Sequence, residues 1–166
     1  MPEDYRLIVR RTGGPDVIER EAVAMPEPGP TEAIVRHEAI GLNFIDTYHR
    51  SGLYPLQLPS GLGSEAAGVV ERVGSDVTSV RPGQRVAYAG GPLGAYSTVR
   101  ALAADLLVPL PDTIDARTAA ASMLKGLTVD MLVGECGEVR LGQTVLVHAA
   151  GGGVGSLLVP WLRALG

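Results

Sequence analysis

The sequence predicts an α/β protein in two parts, a small all-β barrel or sandwich over roughly residues 1–110 followed by a helix and the first βα unit of an α/β domain. Three observations predict it. At least six short stretches of strand-like alternation fill the first part, with turn residues between them. From Ala119 onward the apolar residues change to helical spacing. Near the C-terminus, Val145 to Gly155 joins a β-branched run to four glycines in five positions, and an apolar segment of helical length follows. The 22 glycines and 12 prolines among 166 residues agree with many turns and short strands.

In chain order, Tyr5–Arg10 alternates polar and apolar residues as a period-two strand. Gly13-Gly14-Pro15 turns it, and Val17–Val23 answers as a second strand. Pro26–Pro30 is a loop, and Thr31–Leu42 places Ala33, Val35, His37 and Ala39 on one face. His37 has no second imidazole or acid at a ligand spacing and reads as a structural histidine. Asn43–Gly52 predicts one or two helical turns stopped at Gly52. An extended loop from Tyr54 to Gly63 leads to a strand over Glu65–Gly74. Arg81-Pro82-Gly83-Gln84 is a β-turn with Pro at its second position. Two more strands are expected at Arg85–Ala89 and Gly94–Val99. Pro109–Asp112 closes the β region, Thr113 or Asp115 offers a helix cap, and Ala119–Leu132 is a helix broken at Gly126. Val139–Gly142 leads into the glycine stretch.

Bulk properties exclude several classes. A hydrophobic content of 46% and a charged content of 19% fit a globular chain. No apolar run approaches the roughly 18 residues that span a bilayer, and the acids of Met1-Pro2-Glu3-Asp4 do not fit a signal or transit peptide. The net charge of −4 lacks the basic footprint of nucleic-acid binding. Cys136 is the only cysteine, so there is neither an intrachain disulfide nor a Cys-rich zinc site, and a cytoplasmic location is the expectation.

The glycine stretch fits a dinucleotide site. Glycine lets the backbone approach a pyrophosphate, and a helix N-terminus offers free N–H groups and positive dipole. Strict G-x-G-x-x-G is absent, and Ala150, Gly152 and Gly155 give A-x-G-x-x-G. From these residues alone, a cofactor loop and a plain glycine-rich turn both stand. The residue that selects NAD or NADP lies about 20 positions beyond such a turn, past Gly166, so the chain is expected to be the front half of something roughly twice as long.

Several segments in this order resemble the medium-chain dehydrogenase/reductase superfamily, and within it the zinc-free quinone oxidoreductase (zeta-crystallin-like) branch. They are Gly41–Tyr48, Ser51–Pro55, Pro59–Gly68, Val80–Val86, Leu124–Val129 and His148–Gly155, and the resemblance spans essentially the whole chain. It implies a GroES-like catalytic domain, incomplete here, over 1–112, and a linker helix with the start of a Rossmann domain over 113–166. The family's tail, which returns to complete its first domain, has no counterpart in this sequence. The family's usual glycine pattern is A-x-x-G-x-x-G, matched by Ala149, Gly152 and Gly155.

The resemblance further implies a zinc-independent NADPH:quinone or conjugated-enone oxidoreductase with direct hydride transfer, NADH being left open as cofactor. Catalytic residues would be Asn43, Tyr48 and Tyr54. Cofactor contacts would come from Asn43, Asp46, Thr128, Ala149, Gly152, Gly153, Val154 and Gly155. Zinc-dependent relatives carry Cys and His where this chain has Asn43 and Ser64, and an amide and a hydroxyl are poor ligands for Zn²⁺, so no metal is expected. Each tyrosine has packing as its plainer role, Thr128 a bond to its own helical turn, and Lys125 a solvated helix charge. An enoyl reductase of the polyketide or fatty-acyl type is the alternative, and an inactive truncated chain is another. The 166-residue chain alone is expected to be inactive, and a full-length version to be a homodimer acting on a small molecule. Pro160 stands where the family usually has Gln, and is expected to kink the helix after the glycine turn.

Overall fold

The computed structural model describes residues 3–166, so Met1 and Pro2 of the leader argument lie outside the described residues. Contacts divide the chain into two units, one running to Ala121 and the other from Ser122 to Gly166.

The first unit holds two antiparallel sheets. The three-stranded sheet has the order β2-β1-β4, with β1 Tyr5–Val9, β2 Ile18–Ala22 and β4 Ser60–Gly61. The five-stranded sheet has the order β7-β3-β5-β6-β8. Its strands are β3 Glu32–Ile40, β5 Glu65–Val73, β6 Arg85–Ala89, β7 Val99–Ala103 and β8 Val108–Pro109. Because β3 lies between two neighbours and is covered on both faces, Ala33, Ile34 and Val35 are buried in succession, where strict alternation is expected from sequence. The core packs Ala33, Val35, Ala66, Val70, Val86, Tyr88 and Leu102 from β3, β5, β6 and β7.

Most expected elements of this unit form, with instructive shifts. Val17 closes a short 3₁₀ turn, Pro15–Val17, before β2 begins. The Arg81–Gln84 turn is closed by Gln84 N–H to Arg81 O at 3.1 Å, with Gly83 at φ 81°. The last long strand is Val99–Ala103 and not Gly94–Val99, because Gly94 sits at φ 134° and Ser97 and Thr98 spend their hydroxyls in local and strand-to-strand bonds. Register with β3, from Arg36↔Val99 to Glu32↔Ala103, fixes the strand four to five residues later. The loop after Tyr54 also contributes Ser60–Gly61 to the smaller sheet, a pairing too short to read from pattern.

Helix α1, Phe44–Ser51, begins at Asn43 and ends on Gly52 in the left-handed conformation, φ 84°. Helix α2 runs Ala116–Asp130. Asp115 caps it, its Oδ1 taking the Thr118 N–H at 2.8 Å. Gly126 does not break α2: one glycine costs about 1 kcal/mol of helix propensity, too little to end a helix that continues on both sides.

In the second unit α2 passes into a π turn, Met131–Cys136, and α3 spans Gly155–Leu165. Pro160 is accommodated inside α3. The Val145–Val147 stretch, read as a strand, pairs with nothing among the described residues. A parallel strand takes its hydrogen bonds from neighbouring strands, and this unit supplies none. Leu146 is accordingly 81% exposed. No described helix is long and apolar enough to cross a membrane.

Candidate active site

The first unit gathers its site at the N-terminus of α1. Asn43 is the residue before the helix, and Asp46 is three residues on, the spacing of a reciprocal cap. Asn43 N–H donates to Asp46 Oδ2 at 2.9 Å, and Asp46 N–H donates to Asn43 O at 3.0 Å. The Asn43 side chain also reaches β5, where Nδ2 donates to Glu65 Oε2 at 2.8 Å. Asn43, Asp46, Ser64 and Glu65 are all buried polar residues, Glu65 completely. Burial makes these bonds matter, since an unmade one here costs about 1–3 kcal/mol. Tyr96 O–H adds a second donor to Asp46 Oδ2 at 2.7 Å.

The structure also brings Tyr48 and Tyr54 together, ring centroids 5.3 Å apart, with Tyr54 N–H bonded to Tyr48 O at 3.2 Å. Phe44 meets Tyr48 edge-on at 5.3 Å, and His49 meets Tyr54 at 6.0 Å. Phe44 is 74% exposed and Tyr54 47% exposed, so the aromatic strip faces outward.

In the second unit, Ala149 to Gly155 folds into a compact turn that delivers the chain into α3. Gly152 N–H bonds Ala149 O at 2.8 Å, and Ser156 N–H bonds Gly152 O at 2.8 Å. Ala149 is left-handed, φ 51°, a conformation that costs a residue with a Cβ about 1–2 kcal/mol. A Cβ at Gly155 would overlap Ala149 O and lie 2.7 Å from Ala150 Cα. Gly155 is therefore fixed by close backbone approach. Gly152, Gly153, Val154 and Gly155 line a hollow of about 330 Å³ with Ala149 and His148. First-turn N–H groups of a helix lack intrahelical acceptors, so this hollow suits an anionic group, and the residues present fit a dinucleotide pyrophosphate.

Thr128 lies on α2 with Oγ1 donating to Leu124 O at 3.0 Å, the local bond expected as its plainer role. Its oxygen retains acceptor capacity. The Lys125 stem lies over Gly153, with Cε 3.1 Å and Cδ 3.2 Å from where a Cβ would stand. Sequence reasoning passed over Tyr96 and the partnership of Glu65 with Asn43. Tyr96 sits in a run that alternates like a strand, and no local spacing ties it to Asp46, 50 residues away. Among the described residues no three His, Cys, Asp or Glu side chains group to hold a metal.

Residues 29–112 match the family described as the alcohol dehydrogenase GroES-like domain. The chain is 60% identical over 155 residues to a quinone oxidoreductase of Pseudomonas aeruginosa, covering 93% of this chain and 48% of the relative. It is 44% identical over 165 residues to a 2-haloacrylate reductase of a Burkholderia species, covering 96% of this chain and 50% of that protein. The crystal structure of Escherichia coli quinone oxidoreductase complexed with NADPH superposes with a TM-score of 0.95 at 48% identity, over 98% of this chain and 50% of that one. The chain spans about half the length of the curated relatives it matches.

Proposed function

The chain belongs to the alcohol dehydrogenase GroES-like domain family, and on that premise we propose that it serves in a zinc-independent NADPH:quinone oxidoreductase. The observation that carries this reading is the 60% identity to a quinone oxidoreductase. The donor set supports zinc independence: Asn43 and Ser64 offer an amide and a hydroxyl where Zn²⁺ chemistry needs thiolate or imidazole.

NADPH, when bound, supplies a hydride. The N–H groups of Gly153, Val154 and Gly155 at the start of α3 would hold the pyrophosphate, with Gly152, whose N–H is taken by Ala149 O, lining the approach and the close turn at Ala149 shaping it. Thr128 Oγ1, having given its proton to Leu124 O, would accept from the carboxamide. Asp46 would act on the cofactor side through its hold on the Asn43 backbone.

Quinones and conjugated enones suit a site without a Lewis acid, because charge developing on their carbonyl oxygen is spread by conjugation and met by hydrogen-bond donors. Asn43, Tyr48 and Tyr54 would supply those donors, and the ring strip they begin would favour a flat substrate. The likeness to a 2-haloacrylate reductase favours a second reading, reduction of a carbon–carbon double bond conjugated to a carboxyl group.

The test is NADPH oxidation followed with a small quinone, an enoyl thioester and a 2-haloacrylate in parallel. The protein is the chain joined to the part of the Pseudomonas aeruginosa relative that it does not match. Turnover of the quinone supports the proposal, turnover of either alkene alone transfers it to the second reading, and turnover of none removes both. The 166-residue chain by itself is expected to give no turnover.

A further inference from the structure

Asn43 is gripped through its N–H by Asp46 Oδ2 at 2.9 Å, through its C=O by the Asp46 N–H at 3.0 Å and through its Nδ2 by Glu65 Oε2 at 2.8 Å. The grip on its backbone runs through Asp46, so whatever fixes the Asp46 side chain bears on the start of α1. Asp46 is 3% exposed. Its Oδ1 is buried and meets no donor from the described residues. The side-chain grip on the carboxylate therefore passes through Oδ2, where Tyr96 O–H is the donor from outside the helix, at 2.7 Å.

Tyr96 is itself rigidly mounted. Its N–H donates to Leu62 O at 2.9 Å, and its carbonyl takes the Leu7 N–H at 2.7 Å. Its ring packs on the cluster of Val9, Val17 and Leu62 and lies against Gly63, where a Cβ would overlap it. Burial, and then the neighbouring carboxylate, hold the phenol well above its usual ionisation range, so it remains a donor. The phenol thus ties the helix that begins at Asn43 to the smaller sheet.

We propose that Tyr96 is a positioning residue for Asn43, acting through Asp46 Oδ2. The inference rests on the reading of Asn43 as a group that faces cofactor and substrate. Removing the phenol oxygen leaves the ring packing in place and releases one of the two donors on Oδ2, so α1 and the Asn43 amide lose their fixed register against β5. A displaced catalytic group lowers turnover more than it weakens binding.

The test has two arms. In the 166-residue chain, the backbone and side-chain amide resonances of Asn43 are followed in Tyr96→Phe, Asp46→Asn and the double variant. The Asn43 signals are expected to move in each single variant, and the double variant is expected to move them no further than Asp46→Asn alone. Signals unmoved by Tyr96→Phe, or additive shifts, overturn the link. In the chain joined to the unmatched part of the relative, Tyr96→Phe is expected to lower kcat for the quinone about tenfold with KM for NADPH within about twofold. Its loss should not add to that of Asp46→Asn. A merely structural role would lower Tm and leave kcat below Tm unchanged, and that result overturns the proposal. Moved and non-additive Asn43 signals in a protein that oxidises no NADPH would support the link and refute the proposed function, so the two failures are distinguishable.

Discussion

Mild acid should destabilise the first unit through one imidazole. His37 Nδ1 lies 2.8 Å from Ser97 O and must donate to it, which leaves Nε2 to accept the Tyr88 O–H at 3.1 Å. Arg100 in turn donates to the Tyr88 oxygen at 3.3 Å. A second proton on His37 would displace the Tyr88 O–H from Nε2 and sit near a guanidinium. Burial chiefly, with the Arg100 charge acting in the same direction against the opposing Ser97 bond, lowers the His37 pKa from 6.5 to about 4. Between these values the unfolded chain binds more protons than the folded one, so stability rises with pH and is lost on acidification. From pH 7 to pH 5 the proton-binding ratio changes by about 25-fold, which is about 2 kcal/mol. Asp4, Glu21 and Asp115 are shifted below ordinary carboxyl values, so their contributions fade only at lower pH.

Urea unfolding of the wild-type chain and of His37→Gln, followed by tyrosine fluorescence at pH 7 and pH 5, isolates the effect. The wild type should lose about 2 kcal/mol and the variant well under half of that. An NMR titration of the His37 ring gives the same answer directly. A midpoint above about 6, or equal pH slopes in both proteins, would refute the reasoning.

Three further outcomes are expected. Pro160→Gln in a full-length version should raise Tm, because a proline inside α3 withholds an N–H from the Ser156 carbonyl and crowds it, at about 3 kcal/mol in an ideal helix interior; scanning calorimetry showing no rise would sink this. Gly155→Ala should abolish NADPH binding and lower the stability of the second unit, since its Cβ would meet Ala149 backbone. Gly153→Ala should be far milder, because the Cβ would meet only the flexible end of Lys125; equal losses in the two, by cofactor fluorescence titration, would contradict the close-approach argument. Asp115→Ala should lower the urea midpoint through the lost cap on α2, while Asp115→Asn should recover most of the loss.

What could be read from the sequence was set by how local the determining contacts are. Asn43, Asp46 and Gly52 mark the ends of α1 within ten residues, and Arg81–Gln84 is closed by its own Pro and Gly. The glycine turn is equally local, closed by the Gly152 N–H on Ala149 O. Placing the strand at Val99–Ala103 required knowing where β3 would pair, 60 or more residues earlier. The Val145–Val147 run has strand-forming residues, yet a strand is a relation between segments, and none is available within its unit. Tyr96 was missed for the same reason: its role is defined by an oxygen on a distant helix, and nothing near it in sequence points there.

The division of the chain has a spectroscopic consequence. The five tyrosines, at positions 5, 48, 54, 88 and 96, all fall in the first unit, and the single tryptophan, Trp161, lies in α3 of the second. Indole emission excited at the red edge therefore reports α3 alone, while phenol emission reports the sheets and the aromatic strip beside α1. One denaturation run read at two wavelengths yields a separate transition for each unit. If the two curves coincide, the two units melt as one cooperative body; if they separate, the order of loss shows which unit stands without the other.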